Sequence, residues 1–449
     1  MQMATLEQMG ITQNQLDSHW MAYSGNRQFK QDPRIIKQAK GNYYYDADGR
    51  KIFDGLSGLW TCGLGHGRQE ITEAITKQAG LLDYSPAFQF GHPASFQLAE
   101  KITEFMPAGL NRVFFTGSGS ESADTSLKIA RAYWRKKGLA SKTKLIGRGK
   151  GYHGVNFGGI SVGGIGPNRA IFGAGVDAAH MRHTVLPENA FTKGQPENGV
   201  ELANDLLDLI AVHDASNIAA VIVEPMAGSA GVIPPPLGYL TRLREICDQH
   251  QILLIFDEVI CAFGRLGYKT GAEACGVTPD IINMAKQLTN GVIPMGAVAC
   301  KQEIYDTFMT EGGPEYMLEL PHGYTYSAHP IACAAALATL DLLEKEHTIE
   351  RAREMSPLLE RAAHQLAGLE LVSDIRNMGL AVGLNLVHAP GEPALNPYLV
   401  AQAMWQQGFY VRYGADTLQI APPFTVTANE IDSLFNALGD TIQRFSGHT

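Results

Sequence analysis

Six short apolar runs, at 113–115, 144–147, 220–223, 253–256, 281–284 and 297–300, punctuate the middle of the chain. The stretches between them carry helical patterns. Within 239–250, for example, Leu240, Leu243, Ile246 and Cys247 recur at the spacing of one helix face. Strand, helix and strand repeating in this way require right-handed crossovers and a mainly parallel sheet. The run at 253–256 is apolar throughout rather than alternating, as in a parallel strand covered on both faces. An α/β fold is therefore expected.

A single core stops growing near about 250–300 residues, so a chain of 449 residues with 45% apolar content calls for a large and a small domain. A hairpin pattern at 41–59, with Tyr43, Tyr44 and Tyr45 before a turn at Gly49 and Lys51, Ile52 and Phe53 after it, opens the small one. Helical patterns at 334–346 and 349–366, strand patterns at 409–412 and 417–420, and a last helix from Asn429 return to it. The expected division is 1–60 and 330–449 for the two parts of a small α+β domain, with 61–329 as the large domain.

Charge and composition exclude several partners. A net charge of −9, from 36 basic and 45 acidic residues, gives no footprint for nucleic acid or an anionic membrane. No apolar run approaches the ~20 residues that span a bilayer, and residues 1–20 lack the regions of a signal peptide. The six cysteines are scattered without a Cys-x-x-Cys pair, and the 14 histidines include no His-Glu-x-x-His. Reduced thiols, no metal site and a cytoplasmic location are expected.

The run Leu253-Leu254-Ile255-Phe256 ends in Asp257-Glu258-Val259 and so delivers an acid to the carboxyl edge of the sheet, where open α/β folds bind ligands. Lys286 arrives 29 positions after Asp257, behind a second apolar run. An acid and a lysine at one sheet edge can hold pyridoxal phosphate, the lysine as a Schiff base and the acid on the pyridinium nitrogen. The same apolar run with Asp-Glu also suits the magnesium-binding strand of a nucleotide hydrolase. Such an enzyme needs Gly-x-x-x-x-Gly-Lys-Ser/Thr as well, and the nearest approach, Gly149-Lys150, is followed by Gly151. A surface position for Lys286 is the plainer alternative.

Three further pieces accompany the pair. Thr116-Gly117-Ser118-Gly119-Ser120-Glu121-Ser122, between a strand and a helix running towards Lys137, offers phosphate the backbone donors of a helix start, or is simply a capped loop. Gly151-Tyr152-His153-Gly154 can lay an aromatic face on a flat ring, although Tyr152 also suits a core or turn. Val221-Ile222-Val223-Glu224-Pro225 repeats the apolar strand ending in an acid, where Glu224 alternatively caps a helix or forms a salt bridge.

In this order, and followed by His322-Gly323-Tyr324-Thr325-Tyr326-Ser327-Ala328-His329-Pro330, the pieces resemble the class III aminotransferases, pyridoxal-phosphate enzymes of fold type I, over almost the whole chain. Leu56-Ser57-Gly58-Leu59-Trp60 and Asp83-Tyr84-Ser85-Pro86 resemble most the ω-amino acid:pyruvate, or β-alanine:pyruvate, branch. The resemblance implies Lys286 as the cofactor's lysine and proton carrier and Asp257 on the pyridine nitrogen. It implies Tyr152 and Val259 on the two ring faces, Gly119 and Ser120 at the phosphate, and Thr325 reaching the phosphate from a second subunit. His153 and Glu224 complete the cofactor site. A homodimer or tetramer with interfacial active sites follows from the same resemblance.

For the substrates, it implies Arg412 as the guanidinium that grips a 2-oxo acid carboxylate. On its own, Arg412 suits an exposed strand face. Leu59, Trp60, Phe88 and Ala230 would shape a pocket for an amine without an α-carboxylate, with plain packing as the alternative for Trp60. Two positions depart from the family pattern. Ser229 stands where glutamate-using relatives carry glutamate, which favours pyruvate over 2-oxoglutarate. Ala262 stands where glycine is usual, a change expected to leave Asp257 in place. The expected reaction moves an amino group from an ω-amino acid such as β-alanine, or a similar amine, to pyruvate. A 2-oxoglutarate-dependent class III transaminase and an aminomutase, racemase or decarboxylase of the same fold stay open, while the absence of an appended helix-turn-helix segment argues against a non-catalytic cofactor-binding module.

Overall fold

The computed structural model describes residues 6–173, 175–387 and 391–446. Each of the six apolar runs lies in a strand of one sheet, and a seventh strand joins them. In chain order these are β1 (Leu110–Thr116), β2 (Lys144–Arg148), β3 (Ala178–Met181), β4 (Ile218–Val223), β5 (Leu253–Asp257), β6 (Ile281–Met284) and β7 (Gly296–Lys301). Across the sheet the order is β1-β7-β6-β5-β4-β2-β3. β7 runs antiparallel to both its neighbours, and the other pairs are parallel. Every residue of β4, β5 and β6 is buried, as continuous apolar strands covered on both faces should be. This is the mainly parallel α/β sheet that the apolar runs predict.

That order has a chemical consequence. β4, β5 and β6 are adjacent and parallel, so their carboxyl ends share one edge. Glu224 follows β4, Asp257 ends β5, and Lys286 comes two residues after β6. The helix Gly119–Lys136 covers one face, burying Ala123, Leu127, Ala130 and Trp134 on its inner stripe, and the Trp134 Nε1 donates to Ala219 O at 2.8 Å. The helix Tyr239–Gln249 buries the residues its spacing picks out: Leu240, Leu243, Ile246 and Cys247.

The chain ends build two smaller sheets. Ile36–Lys40, Tyr43–Asp46 and Lys51–Asp54 form a meander, and Phe409–Tyr410 adds to it in parallel, pairing Phe409 with Phe53 and Tyr410 with Asp54. Val372–Asn377, Val382–Leu386, Thr417–Ile420 and Arg412–Gly414 form the other. The single strand expected at 409–412 is thus split at the buried Val411, where the chain passes from one sheet to the other. The helix Pro330–Lys345 packs on Gln69–Leu81 and Pro93–Thr103, so contacts cross position 330.

One buried cation ties distant segments together. Arg265, 2% exposed, donates from Nη1 to Leu380 O (3.0 Å) and Pro422 O (2.8 Å), and from Nη2 to Ser57 Oγ (2.9 Å). Its guanidinium also lies over the Trp60 and Phe424 rings. Arg265→Met is expected to lower the unfolding free energy by about 1–3 kcal/mol, because buried acceptors lose their donor. A lower urea midpoint with an unchanged slope would show it; an unchanged midpoint would refute it.

Candidate active site

Lys286 opens a tight turn, Lys286–Thr289, directly after β6 and Ala285. Its φ of 50° lies in the left-handed region, which side-chain-bearing residues adopt only where the surroundings enforce it. The side chain is half-buried and lines a cavity together with Asp257 and Glu224. Burial pushes the Lys286 amine down to about 8; Asp257 and Glu224 oppose that shift, and Arg412 adds to it. The lysine and both strand-end acids therefore line one cavity, and Arg412, outside that lining, acts on the lysine through its charge.

Asp257 is 5% exposed and held at both oxygens: Oδ2 accepts from His153 Nδ1 at 2.8 Å, and Oδ1 accepts from the Val259 N–H at 3.2 Å. A carboxylate only accepts, so the His153 proton sits on Nδ1, and buried Nε2 is left without a partner. Glu224 accepts from the Tyr152 N–H at 3.0 Å and from the Gly228 N–H at 3.2 Å. Burial raises its carboxyl to about 7, with His153 opposing and Asp257 reinforcing. Glu258, next to Asp257, points the other way. It accepts from the Gly271 and Ala272 N–H groups at the start of the helix Gly271–Cys275, where burial likewise raises it to about 7. Neighbouring residues at a strand end face opposite sides, so only Asp257 of the pair reaches the cavity.

The loop between β1 and the helix Gly119–Lys136 is pinned at its base. Ser118 Oγ accepts from the Glu121 N–H, and Glu121 Oε2 accepts from the Gly117 N–H at 2.6 Å. Gly119 and Ser120 are the first two residues of an 18-residue helix, where N–H groups have no carbonyl partner within the helix and the dipole favours an anion. Both line the cavity. A Cβ on Gly119 would stand 2.8 Å from Val259 Cγ1, so glycine is required for this approach. Gly154, with a φ of 88°, is pressed on the same loop, where a Cβ would fall 2.5 Å from Ser120 Oγ. Tyr152, Val259 and Ile260 supply the apolar lining.

The substrate candidates are more dispersed. Arg412 is half-buried and donates from Nη1 to Gln419 Oε1 at 3.1 Å, while Gln419 Nε2 donates to Ser229 O at 2.9 Å. Ala230 is half-buried beside Ser229. Trp60 is 1% exposed and packs among Leu56, Met226, Ile260 and Cys261, away from the cavity surface. Leu59, Phe88 and Thr325 are exposed and do not line the cavity of this chain. Phe88 lies along Gly323, and the Thr325 carbonyl accepts from Tyr84 Oη at 3.0 Å.

Some neighbours escape a reading of the sequence. Tyr23 lies near enough to Tyr152 to push its phenol up, after burial, with Arg412 opposing. Ile260 lines the cavity, and Gln419 anchors Arg412. Only Ile260 carries a sequence signal, being three residues beyond Asp257. Among the described residues no group of His, Cys, Asp or Glu is arranged to hold a metal, and all six cysteines are free.

The donor set fits a phosphorylated pyridine aldehyde: helix-start N–H groups for the phosphate, apolar and aromatic walls for a flat ring, a buried acid for its nitrogen and an amine for its aldehyde. Comparison with known proteins agrees. The model of the class III aminotransferase family matches residues 24–442. The beta-alanine–pyruvate aminotransferase of Pseudomonas aeruginosa is 60% identical over 95% of this chain and 96% of its own length. The omega-amino acid–pyruvate aminotransferase of Pseudomonas putida is 56% identical over 96% and 97%. The crystal structure of an amine transaminase from an uncultivated Pseudomonas species, in its PLP-bound internal aldimine form, superposes with a TM-score of 0.87 at 36% identity, covering 95% of this chain and 98% of its own. With the family pattern spanning nearly its full length, the chain belongs to the class III aminotransferases.

Proposed function

We propose that this chain is a pyridoxal-phosphate-dependent transaminase that moves the amino group of β-alanine, another ω-amino acid or a similar primary amine to pyruvate, releasing alanine and an aldehyde or oxo acid. The observation that carries this reading is the meeting of Lys286, Asp257 and the helix-start N–H groups of Gly119 and Ser120 in one cavity. The named activities of the relatives at 60% and 56% identity support the substrate pair.

Lys286 would hold the cofactor's aldehyde carbon, Asp257 its ring nitrogen, and Gly119 and Ser120 its phosphate, between Tyr152 and Val259. His153 fixes the Asp257 carboxylate, and Glu224 fixes the backbone that carries Tyr152. When bound, the cofactor supplies the electron sink that stabilises negative charge on the substrate carbon. Lys286 Nζ moves the proton to and from that carbon, a task suited to an amine that burial has brought to about 8. Arg412 binds the carboxylate of the acceptor, Ala230 borders the amine pocket with Trp60 behind it in the core, and Leu59 and Phe88, exposed outside the cavity of the single chain, would complete that pocket in the assembled enzyme. The exposed Thr325 serves a second copy's phosphate site, so the active form is a homodimer or a tetramer, which we place in the cytoplasm.

The test is direct: the purified holoenzyme mixed with β-alanine and pyruvate should lose its yellow colour on adding the amine and form alanine. Neither bleaching nor alanine would overturn the reading. With Ser229 in place of the glutamate that pairs with this arginine in glutamate-using relatives when no dicarboxylate is bound, Arg412 has one fewer partner to manage, and pyruvate is expected to exceed 2-oxoglutarate in kcat/KM by about tenfold or more. Equal values for the two acceptors would refute this preference.

A further inference from the structure

Arg412 and Gln419 are directly opposed across the antiparallel strands Arg412–Gly414 and Thr417–Ile420. Opposed residues on one face form the interacting pairs of a sheet. Gln419 is 1% exposed, and both ends of its amide are used: Oε1 accepts from Arg412 Nη1 at 3.1 Å, and Nε2 donates to Ser229 O at 2.9 Å. Among the described residues Arg412 makes no ion pair, so this neutral amide is its side-chain anchor. The chain segment anchored at Ser229 is itself held by hydrogen bonds. Gly228 donates to Glu224, and Arg376 donates to Gly231 O and Val232 O.

We infer that Gln419 is a specificity-determining positioning residue: its neutral amide ties Arg412 to the Ser229 carbonyl and leaves the guanidinium's charge free for a substrate carboxylate. The inference rests on Arg412 as the carboxylate site proposed above. A guanidinium has five donors, and one is enough to fix its place; the remaining donors can form the forked contact that a carboxylate accepts. Glutamate at 419 has nearly the same shape but adds a charge that pairs with Arg412 and competes with every carboxylate ligand. It also loses the donor to Ser229 O. Glutamine at this position therefore serves specificity for carboxylate-bearing ligands, a selection made without touching the substrate.

The experiment uses holoenzyme with a primary amine donor lacking a carboxylate and two acceptors, pyruvate and propanal, measuring KM and kcat for each. Gln419→Glu is expected to raise the KM of pyruvate about tenfold or more, the scale of a charge-assisted hydrogen bond, with the KM of propanal unchanged. Gln419→Met, which removes the anchor without adding a charge, should lower the preference for pyruvate over propanal by a smaller factor. Arg412→Met sets the reference, losing most of that preference. Should Gln419→Glu fail to form holoenzyme, Gln419→Met decides, and an unchanged preference there overturns the inference. Parallel changes for the two acceptors, or none, overturn the role of Gln419 when Arg412→Met has lost the preference. A preference retained in Arg412→Met overturns the arginine assignment itself, and the inference with it.

Discussion

Lys286→Ala is expected to leave at most about a thousandth of the wild-type transamination rate, within the range set by losing a positioned proton carrier. The variant loses both the amine that holds the cofactor's aldehyde and the base at the substrate carbon. Among the described residues that line the cavity Lys286 is the one lysine, so no other is placed to take over. Alanine at 286 tests the chemistry with little change to the fold, and a small primary amine such as methylamine should restore part of the rate by acting in place of Nζ. The sign of the pH effect follows from burial. Because the Lys286 amine is lowered to about 8, it is neutral above that pH and protonated below it. Only the neutral amine is a nucleophile. Reloading of cofactor-free wild type should therefore speed up as pH rises through about 8 and level off beyond it. A Lys286→Ala rate within tenfold of wild type would remove the lysine from the mechanism.

The central strands β4, β5 and β6 of the large sheet are legible because each is buried on both faces and reads as an apolar run. The edge strand Ala178–Met181 is not, since its four residues include His180 and only Met181 is fully buried. Which acid of Asp257-Glu258 faces the cavity also needs the structure. The strand's alternation sends one residue to each side, but the sequence does not say which side holds the ligand. The split at Val411 was hidden for a similar reason: Phe409 to Arg412 reads as one strand until its partners, Phe53 on one side and Gln419 on the other, are known. Gln419 gave no signal at all, because a glutamine in an apolar strand acquires meaning only from the residue paired across from it. The cavity group, by contrast, came from strand ends and a glycine-rich helix start, which are local patterns. Contacts joining segments hundreds of residues apart, such as Arg265 with Ser57, Leu380 and Pro422, have no local pattern to read.

Asp257→Asn should cost about a hundredfold to a thousandfold in turnover, the range for removing one preorganised electrostatic partner. The substitution keeps size and shape and removes the charge that would hold a proton on the ring nitrogen. Its neighbours make it a clean test. Asp257 Oδ1 accepts from the Val259 N–H, and an amide oxygen can do the same. The other side is less forgiving. His153 now donates from Nδ1, and an amide nitrogen in that place would require the imidazole to move its proton to Nε2, which is buried without a partner. Leaving a buried donor unpaired costs about 1–3 kcal/mol, so the asparagine is expected to present its oxygen to His153 instead and release the Val259 N–H. Either arrangement keeps the fold, and thermal unfolding should shift by only a few degrees on that scale. Turnover and retention of the cofactor through dialysis should fall together, because both depend on the charge. His153→Phe keeps the carboxylate and removes only its orientation, so it should retain the cofactor better than Asp257→Asn. If Asp257→Asn stayed within tenfold of wild type while fully loaded, the acid would be structural, and the electron sink would have to be sustained without it.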